Sequence, residues 1–304
     1  MKKYILAILA MLIAVSAMAT DLNKKSYLYA VKDTDSLYLD HYVSPVNGER
    51  PCMIFVFGGG FIRGTRDHEG YLPYFKFLND NGYDVVSIDY RLGLKPLTKM
   101  KEMPSIRETI GLLNNSVNIA VEDLFSATLF ILENAERWQI NTEQIVTSGS
   151  SAGAITVLQA ENAICNRTPS AAVLPQGFNY AGVISYAGAI FSVNGKPEWK
   201  SKPAPIMFFH GSSDSQVPYD KATMLGVGFF GSKSDNSFAF HFVPRPTGST
   251  TSSTRRTISP SCRCTTTTTR FSPSLRILHR KSAPLQSILR CVMAMCPSAK
   301  RSLR

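Results

Sequence analysis

The chain has 304 residues, 44% of them hydrophobic, and a formal net charge of +11. Residues 1–235 hold 21 of the 33 basic residues and all 22 acidic ones, whereas residues 236–304 hold the other 12 basic residues and no acid. The length suits one large domain, and the nearly neutral main body excludes an electrostatic reason to bind nucleic acid or an anionic membrane.

The first 19 residues predict a signal peptide. Lys2 and Lys3 precede an apolar run over 4–15, and the triplet at 17–19 fits an A-x-A cleavage site. The apolar run is short for a bilayer span, so we expect no stable membrane span after cleavage. The mature chain is then expected to be secreted or periplasmic.

The chain after the signal predicts strands that alternate with helices. Strand patterns occupy 27–31, 37–42, 53–57, 84–90, 145–147, 180–186, 205–210 and 238–243, and the first two suggest a hairpin. Helix patterns occupy 71–78, 120–138, 154–160 and 222–229, while 92–114 suggests a loop or small lid over the site. This order predicts an α/β fold with a mostly parallel central sheet and helices on both faces, over residues 20–243.

The cysteines predict neither a disulfide framework nor a metal site. Cys52 and Cys165 are the two in the main body, and Cys52 starts an apolar strand. The remaining four, at 262, 264, 291 and 296, have no histidine at the spacing of a zinc site. We therefore predict no metal site, and no organic cofactor is implied.

Residues 244–304 lose the periodicity of the main body. The segment 248–269 is mostly Ser, Thr, Arg, Cys and Pro, including five consecutive threonines. One interpretation is a basic disordered tail, and another is a tether for nucleic acid or an anionic surface. A third, which we prefer, is a frameshift near Pro244, because Thr codons (ACx) read one base earlier become codons for Tyr, His, Asn or Asp.

The pentapeptide GSSAG at 149–153 is the most informative motif. It follows the strand pattern at 145–147 and opens the helix pattern at 154–160. A G-x-S-x-G sequence between a strand and a helix is typical of a nucleophile elbow, which exposes the serine hydroxyl at the top of a sheet. Ser151 is therefore the candidate nucleophile, and an ordinary helix N-cap is the alternative interpretation.

Three glycines end the strand pattern at 53–57. Backbone N–H groups can approach a developing oxyanion closely where no side chain intervenes. We expect Gly59 and Gly60 to donate from one side of the oxyanion and Ala152 from the other. A plain glycine turn is the alternative.

The loop HGSSDSQVPY at 210–219 follows another buried strand. Asp214 on this loop is the candidate acid that orients a catalytic histidine. An aspartate in a solvated turn is the alternative interpretation, and Asp220 is a weaker candidate for the same role.

Four motifs together resemble the α/β-hydrolase superfamily, in particular secreted carboxylesterases similar to the hormone-sensitive-lipase and feruloyl/acetyl-xylan esterase groups. They are the HGGG-like loop at 57–60, IDYR at 88–91, GSSAG at 149–153 and HGSSDSQVPY at 210–219, within a resemblance over 50–243. The resemblance implies hydrolysis of short-chain carboxylic esters through an acyl-enzyme. The implied substrate is a small molecule or a polysaccharide-linked ester with an acetyl or feruloyl group. It also implies the acid role for Asp214.

The sequence departs from the family at two places. Phe57 replaces the usual histidine of the oxyanion loop, and we expect the backbone donors to survive this change. The family's catalytic histidine is expected near 246–252, where this chain has none. The five histidines lie instead at 41, 68, 210, 241 and 279, and His241 falls inside a strand pattern. Alternatives are therefore a catalytically impaired pseudo-enzyme or binding protein, or a peptidase of the same fold.

Overall fold

The computed structural model describes residues 22–102, 104–224, 227–233 and 239–242. The predicted signal peptide and the tail after 243 lie outside these ranges. The strands in the described part are β1 (Lys24–Lys32), β2 (Asp35–Tyr42), β3 (Arg50–Val56), β4 (Asp84–Ile88), β5 (Ile140–Ser150), β6 (Gly182–Tyr186), β7 (Ala189–Ser192), β8 (Ile206–Phe209), β9 (Lys221–Met224), β10 (Val227–Gly231) and β11 (Ala239–Phe242). The α-helices are α1 (Leu72–Asp80), α2 (Ile106–Trp138) and α3 (Ala152–Asn166), and short 3₁₀ turns occupy Glu69–Tyr71, Lys95–Lys99 and Pro169–Val173.

Eight strands form one central sheet in the order β1-β2-β4-β3-β5-β6-β8-β11. The first two strands pair antiparallel as the predicted hairpin, β2 pairs antiparallel with β4, and the pairs from β4 through β11 are parallel. Strands β3 and β4 contribute mostly apolar, almost fully buried runs to the core, as strands covered on both faces do. The mostly parallel sheet predicted from the sequence is confirmed.

Helices cover both faces of the sheet, as two neighbouring residues of β2 demonstrate. The Tyr42 ring packs against Phe75 of α1 at 5.1 Å, whereas the His41 ring packs against Trp138 of α2 at 4.5 Å. Because successive side chains of a strand point to opposite faces, α1 and α2 lie on opposite sides of the sheet.

Helix α2 begins earlier than the sequence pattern predicted. We expected a helix over 120–138 and a loop over 92–114, but α2 starts at Ile106. A capping box begins it: the Glu108 N–H donates to the Ser105 hydroxyl, and the Ser105 N–H donates to the Glu108 carboxylate. The motif Ser105-x-x-Glu108 was the missed signal. Helix α2 is long and apolar enough to cross a membrane, yet 56% of its most apolar 18-residue stretch is buried in the fold.

The prediction of a helix at 222–229 is wrong. Strands β9 and β10 pair antiparallel there, and β10 also pairs with β7 in a separate three-stranded sheet of order β7-β10-β9. Phe229 lies 5.1 Å from Phe191 of β7, so tertiary packing of aromatic residues favours the extended backbone.

Glu161 joins helix α3 to the segment that leads into β8. Its carboxylate is fully buried, and it accepts hydrogen bonds from the Ala204 N–H at 2.6 Å and from the Cys165 thiol at 3.6 Å. Burial raises the pKa of Glu161 to about 7, although these hydrogen bonds act to lower it. Burial raises the pKa values of Cys165 and Tyr180 above their ordinary values, and the negative charge of the nearby Glu161 raises them further.

The free energy of unfolding is expected to fall by about 2–3 kcal/mol between pH 5 and pH 8 because of Glu161. The unfolded chain releases this proton near the ordinary pKa of 4.5, whereas the folded chain holds it until about 7. Rising pH in that window therefore favours the unfolded state. Urea unfolding at both pH values measures this loss, which Glu161→Gln should largely remove. An equal loss in the variant would assign the pH dependence to other groups.

Candidate active site

The carboxyl ends of the central parallel strands lie side by side at one edge of the sheet. Val56 at the end of β3 pairs with Gly149, and Ser150 at the end of β5 pairs with Tyr186. Tyr186 in turn pairs with Phe209, the last residue of β8. The glycine loop after β3, Ser151 after β5 and the loop after β8 therefore leave the sheet at the same level.

Ser151 occupies the sharp turn between β5 and α3. Its φ of 52° and ψ of −117° place a non-glycine residue in a strained left-handed backbone region. Its N–H donates to the carbonyl of Tyr186 at 2.9 Å, which ties the turn to the end of β6. The hydroxyl makes no capping bond to α3, and Ser151 is half-buried, so the N-cap interpretation does not describe this side chain.

Two glycines make this turn possible. A Cβ atom on Gly149 would overlap the backbone of Gly153, and one on Gly153 would overlap the carbonyl oxygen of Val56. The N-terminus of α3 thus lies directly against β3, closer than any side chain would allow. The G-x-S-x-G spacing is a steric requirement of this packing.

The glycine loop after β3 lies against Ser151. An ideal Cβ built on Gly58 would come within 3.3 Å of the Ser151 Cβ and 2.8 Å of the Ser150 carbonyl oxygen. Gly59 and Gly60 have φ values of +136° and +67°, and the Gly59 carbonyl accepts from the N–H groups of Ile62 and Arg63. This compact turn needs glycine at both positions.

The predicted oxyanion donors have uncommitted N–H groups. Within the described ranges, the N–H groups of Gly59, Gly60 and Ala152 donate to no protein acceptor. Ala152 is also the first residue of α3, where helix geometry leaves N–H groups unpaired and the helix dipole favours negative charge. These three N–H groups therefore remain the predicted oxyanion donors.

Phe57, which replaces the histidine of the resembled family, is buried. Its ring packs against that of Tyr90 in a tilted arrangement with the centroids 4.6 Å apart, and its carbonyl accepts a hydrogen bond from the Tyr90 hydroxyl at 3.0 Å. Tyr90 belongs to the IDYR segment, and sequence reasoning assigned it no role. In the same segment, the Arg91 guanidinium binds the buried carboxylate of Asp123 in α2, so IDYR links β4 to α2.

Asp214 lies on the loop after β8, with its side chain 11% exposed. Its Oδ1 accepts from the N–H groups of Gln216 (2.8 Å) and Val217 (3.0 Å), which fixes the loop. Its Oδ2 faces Nε2 of His210 at 3.6 Å. Asp220, the weaker candidate, is half-exposed and pairs with Lys233 at 2.8 Å.

His210 is not free to act as a base. It is buried, and its Nε2 lies 3.0 Å from the Val217 carbonyl, which can only accept a hydrogen bond. Nε2 therefore carries the proton, and Nδ1 accepts from the Ser232 hydroxyl at 3.2 Å. Burial lowers the pKa of His210, so the ring is neutral.

The other histidines have different partners, lie within a strand or fall outside the described residues. His41 is buried and bound to Asp84 at 2.7 Å, where Arg50 binds the same carboxylate. His68 is exposed and accepts from the Gly70 N–H through Nδ1. His241 lies within β11 as predicted, and His279 and the expected segment 246–252 fall outside the described residues.

Residues 14–161, just under half of the chain, match the carboxylesterase family. The matched part contains the glycine loop and Ser151 but ends before Asp214. Esterase B1 of Culex pipiens is 30% identical over 126 residues, which are 40% of this chain and 21% of that protein. The chain thus spans about a fifth of the length of this curated relative.

Two solved esterase structures are similar to part of this chain. A thermophilic esterase of the planctomycete Thermogutta terrifontis, Est2, is 20% identical with a TM-score of 0.48, covering 64% of this chain and 73% of that chain. The paraoxon-phosphorylated form of esterase 2 from the same organism gives 19% identity, a TM-score of 0.47 and the same coverage. The strand order and the elbow after β5 give this chain the α/β-hydrolase fold independently of these similarities.

Proposed function

We propose that this chain hydrolyses carboxylic esters with Ser151 as the nucleophile. One observation carries the proposal: Ser151 stands in a strained left-handed turn beside a glycine loop, and the N–H groups of Gly59, Gly60 and Ala152 have no protein acceptor among the described residues. Strain of this kind persists where surrounding packing enforces it, and it exposes the hydroxyl to a substrate. The match of residues 14–161 to the carboxylesterase family supports the ester as the reacting group.

The reaction that we propose has two steps. The Ser151 Oγ attacks the ester carbonyl as a base takes its proton, and the N–H groups of Gly59, Gly60 and Ala152 stabilise the oxyanion. The C–O bond then breaks, and the alcohol leaves with that proton. Water hydrolyses the acyl-enzyme by the same route and releases the acid. Asp214 would orient the base through Oδ2, because Oδ1 already holds its own loop.

For the base, we propose a histidine in the part of the chain that follows β11. Phe242 ends β11 and pairs with Phe209, which ends β8 just before the Asp214 loop, so the sequence position of interest is the one that follows Phe242. A histidine there would complete a nucleophile, acid, base order. The printed sequence has none at 246–252, which is where the frameshift hypothesis applies.

For the substrate we propose a short-chain ester, with acetyl or feruloyl groups on a polysaccharide as the finer hypothesis. The four motifs of the α/β-hydrolase resemblance support this class, and the predicted signal peptide would bring the enzyme to such substrates outside the cytoplasm. Rates on acetyl, butyryl and feruloyl esters of one alcohol rank the acyl groups. Faster hydrolysis of the butyryl ester than of both others would exclude the polysaccharide-ester hypothesis.

A fluorophosphonate probe tests the proposed nucleophile. We expect a covalent adduct on Ser151, located by peptide mass spectrometry, and no adduct on its neighbour Ser150, because Ser151 occupies the strained turn whereas Ser150 is the last residue of β5. Denatured protein is the control for nonspecific labelling. An unlabelled Ser151 in folded protein would contradict the proposal.

The second candidate function is a catalytically impaired binding protein of the same fold. The commitment of His41 and His210 to other partners favours it, because neither is available as a base. Resequencing the coding DNA from codon 235 in all three frames separates the two candidates. A neighbouring frame with mixed acidic and apolar residues and a histidine near 246–252 would identify an esterase ancestor. If only the printed reading frame encodes a plausible protein sequence, the binding protein is favoured.

A further inference from the structure

Two tyrosine hydroxyls hold the two ends of one peptide group. The Tyr90 hydroxyl donates to the carbonyl of Phe57 at 3.0 Å, and the N–H of Gly58 donates to the hydroxyl oxygen of Tyr71 at 3.4 Å. The Phe57 carbonyl and the Gly58 N–H belong to the same planar unit. This 57–58 peptide is therefore bonded on both sides at the point where β3 becomes the glycine loop.

Both tyrosine rings are fixed by their own packing. Tyr90 is 3% exposed and contacts Phe57 at 4.6 Å and Phe61 at 6.2 Å between ring centroids. Tyr71 packs against Phe55 at 4.7 Å and stacks with Phe75 at 6.2 Å. Burial raises the pKa of both hydroxyls, so they stay protonated at neutral pH.

The orientation of the 57–58 peptide decides where the next N–H groups point. Three consecutive glycines follow it, and glycine backbones are otherwise free to adopt many conformations. Tyr71 also takes up the N–H of Gly58, which leaves Gly59 and Gly60 as the uncommitted donors of the loop. The Phe57 side chain has no polar group that could hold the 57–58 peptide, and the two tyrosines supply the side-chain hydrogen bonds to it.

We propose that Tyr71 and Tyr90 are positioning residues that clamp the 57–58 peptide and thereby aim the Gly59 and Gly60 N–H groups at the oxyanion. The catalytic part of this inference rests on the function proposed above. Neither hydroxyl touches the reacting atoms. Their contribution is to hold the donors in place before the negative charge develops.

Phenylalanine variants test the clamp. Tyr90→Phe in the full chain is expected to lower kcat about tenfold with KM changed by less than about twofold, because oxyanion donors act on the transition state. Tyr71→Phe should lower kcat less, since its hydrogen bond is longer. Tyr180→Phe is the matched control: it also removes a buried hydroxyl, bound to Thr128, but before β6 and away from the site. Equal losses of kcat in all three variants would overturn the proposal.

Amide hydrogen exchange tests the clamp by a measurement that does not depend on catalysis. We expect the Gly58 N–H, which has the Tyr71 hydroxyl as its acceptor, to exchange at least about tenfold faster in Tyr71→Phe and Tyr90→Phe than in the unmodified chain or in Tyr180→Phe. If the unmodified chain hydrolyses no ester, the proposed function fails, and exchange alone decides on the clamp. Unchanged exchange in both variants would overturn it, and faster exchange with unchanged kcat would overturn its role in positioning the donors.

Discussion

Ester hydrolysis is expected to fall to a small residual rate when Ser151 is replaced by alanine, a loss of about 10⁴-fold where a histidine base completes the site. No acyl-enzyme can form without the hydroxyl, and the remaining backbone donors supply only weak catalysis. The neighbouring Ser150→Ala is the matched control, because Ser150 ends β5 and its backbone carbonyl, rather than its side chain, lies against Gly58. Its rate should stay within a fewfold of the unmodified chain.

The same position allows an independent check through stability. Ser151→Ala keeps a Cβ in the left-handed turn at φ 52°, whereas Ser151→Gly removes it. Relief of this strain should raise the free energy of unfolding of the glycine variant by about 1–2 kcal/mol over that of the alanine variant. Urea unfolding of both inactive variants measures the difference. If glycine is no more stable than alanine, the turn stores no strain.

Replacing Gly153 with alanine is expected to cost about 3 kcal/mol or more of folding stability and to abolish activity. The added methyl would overlap the carbonyl oxygen of Val56 and lie 2.6 Å from that of Phe57. Both obstacles are backbone atoms, so no side-chain rotation relieves the overlap. Helix α3 would have to move away from β3, and Ser151 and Ala152 would move with it.

Gly111→Ala is the control for that substitution. Gly111 is exposed within α2, and a Cβ there meets nothing within 4 Å, so the change should stabilise the helix by about 0.5–1 kcal/mol. Thermal or urea unfolding should show a lower free energy of unfolding for Gly153→Ala and a higher one for Gly111→Ala. A Gly153→Ala protein as stable and as active as the unmodified chain would refute the close approach of α3 to β3.

Much of the fold could be predicted from local patterns. The apolar runs at 53–57 and 84–90 predict buried strands, and the polar segments around them predict where these strands end. The GSSAG spacing predicts the turn because the crowding at Gly149 and Gly153 excludes side chains. Where prediction failed, competing local signals were present: Phe229 and its neighbours suit a helix or a strand, and only Phe191 of β7 selects the strand.

The candidate site divides in the same way. By itself the sequence predicted that Ser151, the Gly59 and Gly60 loop and the Asp214 loop share one edge, because each follows a predicted strand of one parallel sheet. Only the tertiary structure decided which polar groups remain available there. His210 is committed to Val217 and Ser232, and the hydroxyls of Tyr71 and Tyr90 hold the 57–58 peptide, since long-range packing brings together partners that lie far apart in the chain.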